Sequence, residues 1–195
     1  MTTPAPPPAA PQVPLLHRRI LLGVSGSIAA YKAAPLTRLL VKAGAEVQVV
    51  LTEAAAAFVT PLTLGTLSKK PVLTGFLRDA ASGQWHNHVE LGLWADALVI
   101  APASANTIGQ LANGLCPNLL CAVYLSARCP VFLAPAMDLD MYAHPAVTQN
   151  LQRLRSFGNH VFDSPSGELA SGLAGPGRML EPEEIVAELE KFFAS

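Results

Sequence analysis

Charge is scarce in this chain: Asp, Glu, Lys and Arg make up 14% of its 195 residues, and the formal net charge is -1. Nucleic acid and anionic membrane surfaces both demand a concentration of positive charge, so this balance offers neither a footprint. Isolated soluble domains usually carry more charge, so part of the surface is expected to lie under other subunits. Cysteine is also sparse. Cys116, Cys121 and Cys129 form neither an even set nor a zinc-ligand spacing. That argues against a disulfide framework or a metal site, and for reduced, buried thiols in the cytoplasm. No apolar run is long enough to span a bilayer as a helix. A Walker A loop and the complete GxGxxG dinucleotide pattern are missing too.

Apolar residues, by contrast, make up 51% of the chain, enough for the core of one domain. Residues 1–17 are expected to be a disordered or polyproline-like tail, because Thr2 to Pro14 is rich in Pro and Ala. This stretch lacks the basic start and apolar centre of a signal peptide. The domain then runs from residue 18 to 195.

Short apolar runs at Arg19–Val24, Glu46–Leu51, Ala97–Ile100, Val131–Ala134 and His160–Phe162 read as strands, those at Arg19 and Ala97 as buried ones. Between them lie helical spacings. One helix is expected from Ile28 to Ala43, with Pro35 early in it or kinking it and Gly44 as its stop. Others are expected at Thr52 to Phe58, Thr60 to Ser68, Thr107 to Asn113, Leu119 to Ser126, Pro145 to Phe157, and from Pro182 onward. Arg78 to Gln84 reads as a polar loop. Alternating strands and helices give an α/β fold: a single Rossmann-like open parallel sheet with helices on both faces.

Ligands of such sheets bind beyond the carboxyl ends of the strands. Four loops stand there. Ser25-Gly26-Ser27-Ile28 precedes a helix, where free amides can hold phosphate and glycine permits close approach; an ordinary strand-to-helix turn would look the same. Thr52-Glu53 is the second loop. In the third, Ser104-Ala105-Asn106-Thr107, one residue suffices as an N-cap, and the surplus hydroxyl and amide groups favour a polar ligand such as a ribityl chain or phosphate. In the fourth, Met137 and Met141 have helical spacing and suit core packing, while Asp138 and Asp140 look like caps. His88 has the intrinsic acidity for acid–base work, yet an isolated His beside Glu is usually a surface or capping residue. His86 and His88, two apart, do not face each other on a helix, which argues against a metal pair. The glycine-rich stretch from Ser166 to Met179 reads as a mobile loop, long enough to serve as a lid.

Five segments taken together resemble the flavin-dependent cysteine decarboxylase family. They are Gly23-Val24-Ser25-Gly26-Ser27-Ile28-Ala29-Ala30-Tyr31-Lys32; His88-Val89-Glu90-Leu91 with Trp94-Ala95-Asp96; Ala101-Pro102-Ala103-Ser104-Ala105-Asn106-Thr107; Pro135-Ala136-Met137 with Met141; and Gly175-Pro176-Gly177-Arg178-Met179 with Glu181-Pro182. Within the family, the chain is most similar to the phosphopantothenoylcysteine decarboxylase domain that is fused to a phosphopantothenate–cysteine ligase in bifunctional enzymes. The resemblance implies homotrimers, often assembled into dodecamers, with FMN at a subunit contact. It implies that Gly26, Ser27, Ile28, Thr52, Ser104, Asn106 and Thr107 hold the flavin. It makes His88 the catalytic histidine, Ala136, Met137 and Asp138 part of the substrate-recognition motif, and the glycine-rich loop, with Ala170, the substrate flap.

The implied chemistry is oxidation of the cysteine thiol to a thioaldehyde, loss of carbon dioxide to an enethiolate, and return of hydride and a proton. Two positions depart from the family pattern. Asp138 stands where an asparagine amide is usual, and an ionised carboxylate can only accept hydrogen bonds. Ser171 stands where the flap usually carries a cysteine acid. These departures keep two alternatives open: oxidative decarboxylation of a cysteinyl peptide that stops at the enethiol, and a non-catalytic flavoprotein serving as a regulatory subunit.

Overall fold

The computed structural model describes residues 14–79 and 82–195. The expected tail at residues 1–13 and two residues of the expected polar loop lie outside the described residues. Pro14–His17, expected in the tail, form a turn: Leu15 is fully buried in the core, and the His17 amide donates to Gly44 O.

In chain order, the first half contains β1 (Arg19–Val24), a 3-10 turn (Ile28–Lys32), α1 (Ala33–Lys42), β2 (Glu46–Leu51), a second 3-10 turn (Glu53–Ala57), α2 (Pro61–Ser68), β3 (Leu77–Asp79), β4 (Gln84–Trp85) and α3 (His88–Trp94). The second half contains β5 (Ala97–Ala103), α4 (Ala105–Ala112), α5 (Leu119–Ser126), β6 (Val131–Pro135), α6 (Leu139–Ala143), α7 (Pro145–Ser156), β7 (His160–Val161), β8 (Ser166–Glu168), β9 (Ala174–Pro176) and α8 (Pro182–Ala194).

The expected helix from Ile28 to Ala43 is thus two elements. The chain turns tightly through Ile28–Lys32 first, and Pro35 falls in the first turn of α1, where its missing N–H costs nothing. The expected loop at Arg78 to Gln84 contains strand residues, since Leu77 pairs with Trp85 and Asp79 with Gln84. The expected mobile loop is a second hairpin, with Ser166, Gly167 and Glu168 opposite Pro176, Gly175 and Ala174. Helix α4 starts two residues earlier than expected, with Ser104 as its cap.

The five main strands are parallel in the order β2-β1-β5-β6-β7. Strand side chains alternate between two cores, as the pleat requires. Ile20, Leu22 and Val24 point with Val99 toward α1 and α8, where Leu36, Leu40, Ile185 and Leu189 meet them. Leu21, Leu98, Ile100 and Leu133 point toward α4, α5 and α7, and Leu91 and Trp94 of α3 pack on that side. From β1, the chain goes to β2 on one side, and β5 later pairs with the other. This reversal opens a crevice beyond the carboxyl ends of β1 and β5, where ligands of open α/β sheets bind.

Candidate functional site

Ser25 closes the crevice at its base. Its buried hydroxyl donates to Pro102 O at 2.8 Å and accepts from the Ser104 amide at 2.9 Å. The turns after β1 and β5 are therefore joined through one side chain whose hydrogen-bonding capacity is used. Gly26 follows because the second 3-10 turn comes close: a Cβ there would lie 2.7 Å from Ala54 Cβ.

Three hydroxyls cap the structure around this crevice. Ser27 accepts from the Ala29 amide at 3.2 Å, Thr52 from Ala55 at 3.3 Å, and Ser104 from Thr107 at 3.3 Å. The Ser104 hydroxyl donates onward to Thr107 Oγ1 at 3.2 Å, and Thr107 is buried. The hydroxyl hydrogens of Ser27, Thr52 and Thr107 find no acceptor among the described residues. Donors left over beside short-turn amides suit the phosphate and ribityl oxygens of a flavin nucleotide. Asn106, exposed in the first turn of α4, accepts from Gln110 Nε2 at 3.3 Å.

A cleft of about 530 Å³ opens beside these turns. Its walls include Ser27, Ile28, Ala136, Met137, Asp138 and Ala170, so flavin-side and substrate-side residues expected from sequence share one space. Asp138 caps α6: its Oδ1 accepts from the Leu139 amide at 2.7 Å. Of the possible roles for this carboxylate, the one the geometry displays is to orient backbone. Met137 is held from behind, its amide donating to Gly177 O at 3.0 Å.

Other wall residues carried no assignment from sequence: Tyr31, Lys32, Glu168 and Arg178. Lys32 is buried, and its ammonium donates to Met179 O at 3.1 Å and to Glu181 Oε1 at 2.8 Å. The Arg178 guanidinium reaches the same carboxylate oxygen at 3.1 Å. The Lys32 hydrogen bond is the chief cause holding the Glu181 carboxyl below its usual range. No local pattern announces this cluster, because Lys32 and Glu181 are 149 positions apart. Their presence in two of the quoted motifs is the only signal that could have found it.

His88 lies elsewhere. It opens α3, which packs with α5 on the face opposite α1, and it is not part of the cleft wall. Phe76 meets its ring edge-on with centroids 6.4 Å apart, and Trp85 lies tilted at 5.8 Å. Its Nδ1 is buried with no hydrogen-bond partner. Asn87, not His88, caps the helix. Ser171 sits exposed at the turn of the β8–β9 hairpin, outside the cleft wall, and its Oγ accepts from the Leu173 amide at 3.5 Å.

Residues 9–194 match the family described as Flavoprotein. The chain is 48% identical over 180 residues to the Coenzyme A biosynthesis bifunctional protein CoaBC of Vibrio cholerae, covering 92% of this chain and 45% of that protein. It is 61% identical over 136 residues to a Cysteine/Cysteine sulfinic acid decarboxylase of an unknown prokaryotic organism, covering 70% of this chain and 38% of that protein. It therefore spans less than half the length of these two curated relatives. Among solved structures, it is similar to a cysteine-to-serine mutant of PPC decarboxylase complexed with pantothenoylaminoethenethiol. That TM-score is 0.82 at 36% identity, covering 92% of this chain and all (100%) of that one. The FMN binding protein AtHal3 gives a TM-score of 0.79 at 35% identity, covering 91% of this chain and 97% of that one. With its parallel sheet, its strand-end turns and these matches, the chain belongs to the Flavoprotein family and, within it, to the flavin-dependent cysteine decarboxylases, which are carboxy-lyases.

Proposed function

We propose that this chain binds FMN and decarboxylates 4′-phosphopantothenoylcysteine to 4′-phosphopantetheine, a step of coenzyme A biosynthesis in the cytoplasm. The observation that carries this reading is the single cleft that joins Ser27 and Ile28 to Ala136, Met137, Asp138 and the β8–β9 hairpin. Bound flavin supplies the oxidation that turns the carbon beside the substrate carboxylate into an electron sink. The hydroxyls of Ser27, Thr52 and Thr107, with the amides of the turns they start, hold its phosphate and ribityl oxygens. Gly26 and Ser104 shape the turns, and Asn106 adds an exposed amide at the start of α4. The hairpin covers the substrate through Ala170, with Ser171 at its turn.

His88 is the base in this reading, and a second copy delivers it, as in a homotrimer or dodecamer. Two features support that. Leaving a buried imidazole nitrogen unpaired costs about 1–3 kcal/mol, which a partner group would recover. Around His88, the apolar side chains of Leu77, Trp85, Val89 and Leu93 are exposed, as is Leu125 of the neighbouring α5. The phosphopantothenate–cysteine ligase activity belongs to a fused or separate domain.

A second reading is favoured by Ser171. The PPC decarboxylase that holds pantothenoylaminoethenethiol is a variant with serine in place of cysteine. Stopping at the enethiol would make this chain an oxidative decarboxylase. Incubation of the purified chain with FMN and phosphopantothenoylcysteine separates the readings. Product that has lost only carbon dioxide supports the first. Product lighter by two further hydrogens, with reduced flavin, supports the second. No carbon dioxide from a flavin-loaded chain rejects both and leaves the non-catalytic flavoprotein. His88→Asn is expected to lower carbon dioxide release by about 10²–10⁴-fold with flavin still bound.

A further inference from the structure

Reduction to the saturated product needs a proton on carbon as well as a hydride, and none of the three thiols stands in the cleft wall. If decarboxylation leaves an enethiol, as the functional reading above holds, that enethiol must first become a thioaldehyde before hydride can add. In this tautomerisation, an S–H bond breaks and a C–H bond forms beside the amide nitrogen. The C=C bond becomes single and the C–S bond double, with no net change in atoms or electrons. One acid–base group placed in the cleft performs it, taking the proton from sulfur and returning it to carbon.

Which group stands there is a matter of elimination: His88 of a second copy is the base of the oxidation, and the phenol of Tyr31, also in the cleft wall, is by its chemistry a far weaker acid than a carboxyl. Cys121 is buried in the core and Cys129, partly buried in the loop before β6, packs against it; burial pushes both thiols up. Cys116 is exposed outside the cleft. Ser171 is turned to solvent at the hairpin end. Two carboxylates line the cleft, those of Asp138 and Glu168. Asp138 is engaged in capping α6. Glu168 ends β8, where pairing with Ala174 sets its backbone; it is exposed, as Ser171 is, but it stands in the cleft wall, and its carboxylate makes no hydrogen bond or ion pair among the described residues. Leu169 and Ala170 continue the same wall toward the turn.

We propose that Glu168 is the proton relay of the reductive half of the reaction, tautomerising the enethiol so that hydride from reduced flavin can complete 4′-phosphopantetheine. The role assigned to the hairpin thus moves from its tip to the end of its first strand.

The test isolates the relay from flavin chemistry. The full chain, with no flavin added, is mixed with pantothenoylaminoethenethiol in D₂O, and deuterium entry at the carbon beside nitrogen is followed by proton NMR. The native chain is expected to accelerate exchange over buffer. Glu168→Gln is expected to lower that acceleration by about 100-fold, with enethiol binding by saturation-transfer NMR unchanged, and Glu168→Asp to recover part of it. In turnover with FMN, Glu168→Gln should still release carbon dioxide but give product two hydrogens lighter. Undiminished exchange in Glu168→Gln overturns the proposal, as does loss of exchange in Ser171→Ala, Tyr31→Phe or Asp138→Asn while Glu168→Gln retains it. A native chain that releases carbon dioxide yet exchanges no deuterium overturns the role of Glu168 alone. One that does neither overturns the functional reading, and this role with it.

Discussion

Gly92→Ala sets two opposing effects against each other inside α3. Alanine is worth about 1 kcal/mol over glycine in a helix interior. The new Cβ, however, would lie 2.7 Å from Ser126 O, 2.9 Å from Ser126 C and 3.2 Å from Ala127 Cα. All three are backbone atoms at the end of α5, so no rotamer change relieves the overlap, and α3 must move outward. Overpacking of this kind costs about 1–3 kcal/mol and sometimes more, which outweighs the propensity gain. A net loss of up to about 2 kcal/mol lowers Tm by up to about 8 °C in a chain this size. Gly109→Ala in α4 is the matched control. Its Cβ would meet only Asn150 Nδ2 at 3.6 Å, so the propensity term acts alone and stability should rise by up to about 1 kcal/mol. Thermal unfolding of both variants by circular dichroism, at one protein concentration, gives the comparison. His88 lies one turn before Gly92, so Gly92→Ala should also reduce carbon dioxide release more than flavin affinity. A Tm for Gly92→Ala equal to or above the native value refutes the packing argument.

Acid should destabilise the fold through two carboxyls. Lys32 holds Glu181, and Arg19 holds Asp96, below the usual carboxylate range, chiefly by side-chain hydrogen bonds. Each then releases its proton more readily folded than unfolded, so its stabilisation is complete above about pH 5 and is lost as the pH falls through the unfolded and then the depressed folded value. Glu181→Gln should flatten the acid limb of a stability–pH curve. The same substitution should also lower stability at neutral pH by about 1 kcal/mol, because it removes the counter-charge of the buried Lys32 ammonium while solvent at Glu181 screens the loss; an unchanged curve would contradict both. Thiol titration should show Cys116 reacting first, because it is exposed, while Cys121, pushed up to about 11 by burial, reacts only on unfolding. Cys116→Ser should remove the fast phase.

Much of the architecture was legible because it is local. β-branched runs, capping hydroxyls and the proline at the start of α8 each act over a few residues, and all five main strands fall where their patterns put them. The misreadings share a cause. Ile28–Lys32 has helical spacing but is held as a tight turn with Ala30 packed in the core. The glycines from Gly167 to Gly177 suggested an unpaired loop, whereas strand pairing from Ser166 to Pro176 closes them into a hairpin. Leu15 looked like the end of a tail until the core closed over it.

The same division holds for the site. Residue types at strand ends raised by themselves the expectation of a polar ligand there, because an N-cap hydroxyl and the amides behind it are a property of a few consecutive residues. The flavin family followed from those short motifs in their order. Only the tertiary structure decided what shares a space. It joined Ser27 to Met137 and Glu168 in one cleft, tied Lys32 to Glu181 across the chain, and set His88 on the opposite face with an unpaired Nδ1. Such groupings depend on how the parallel sheet orders its strands and which face each helix covers. Those are long-range choices that no window of sequence contains.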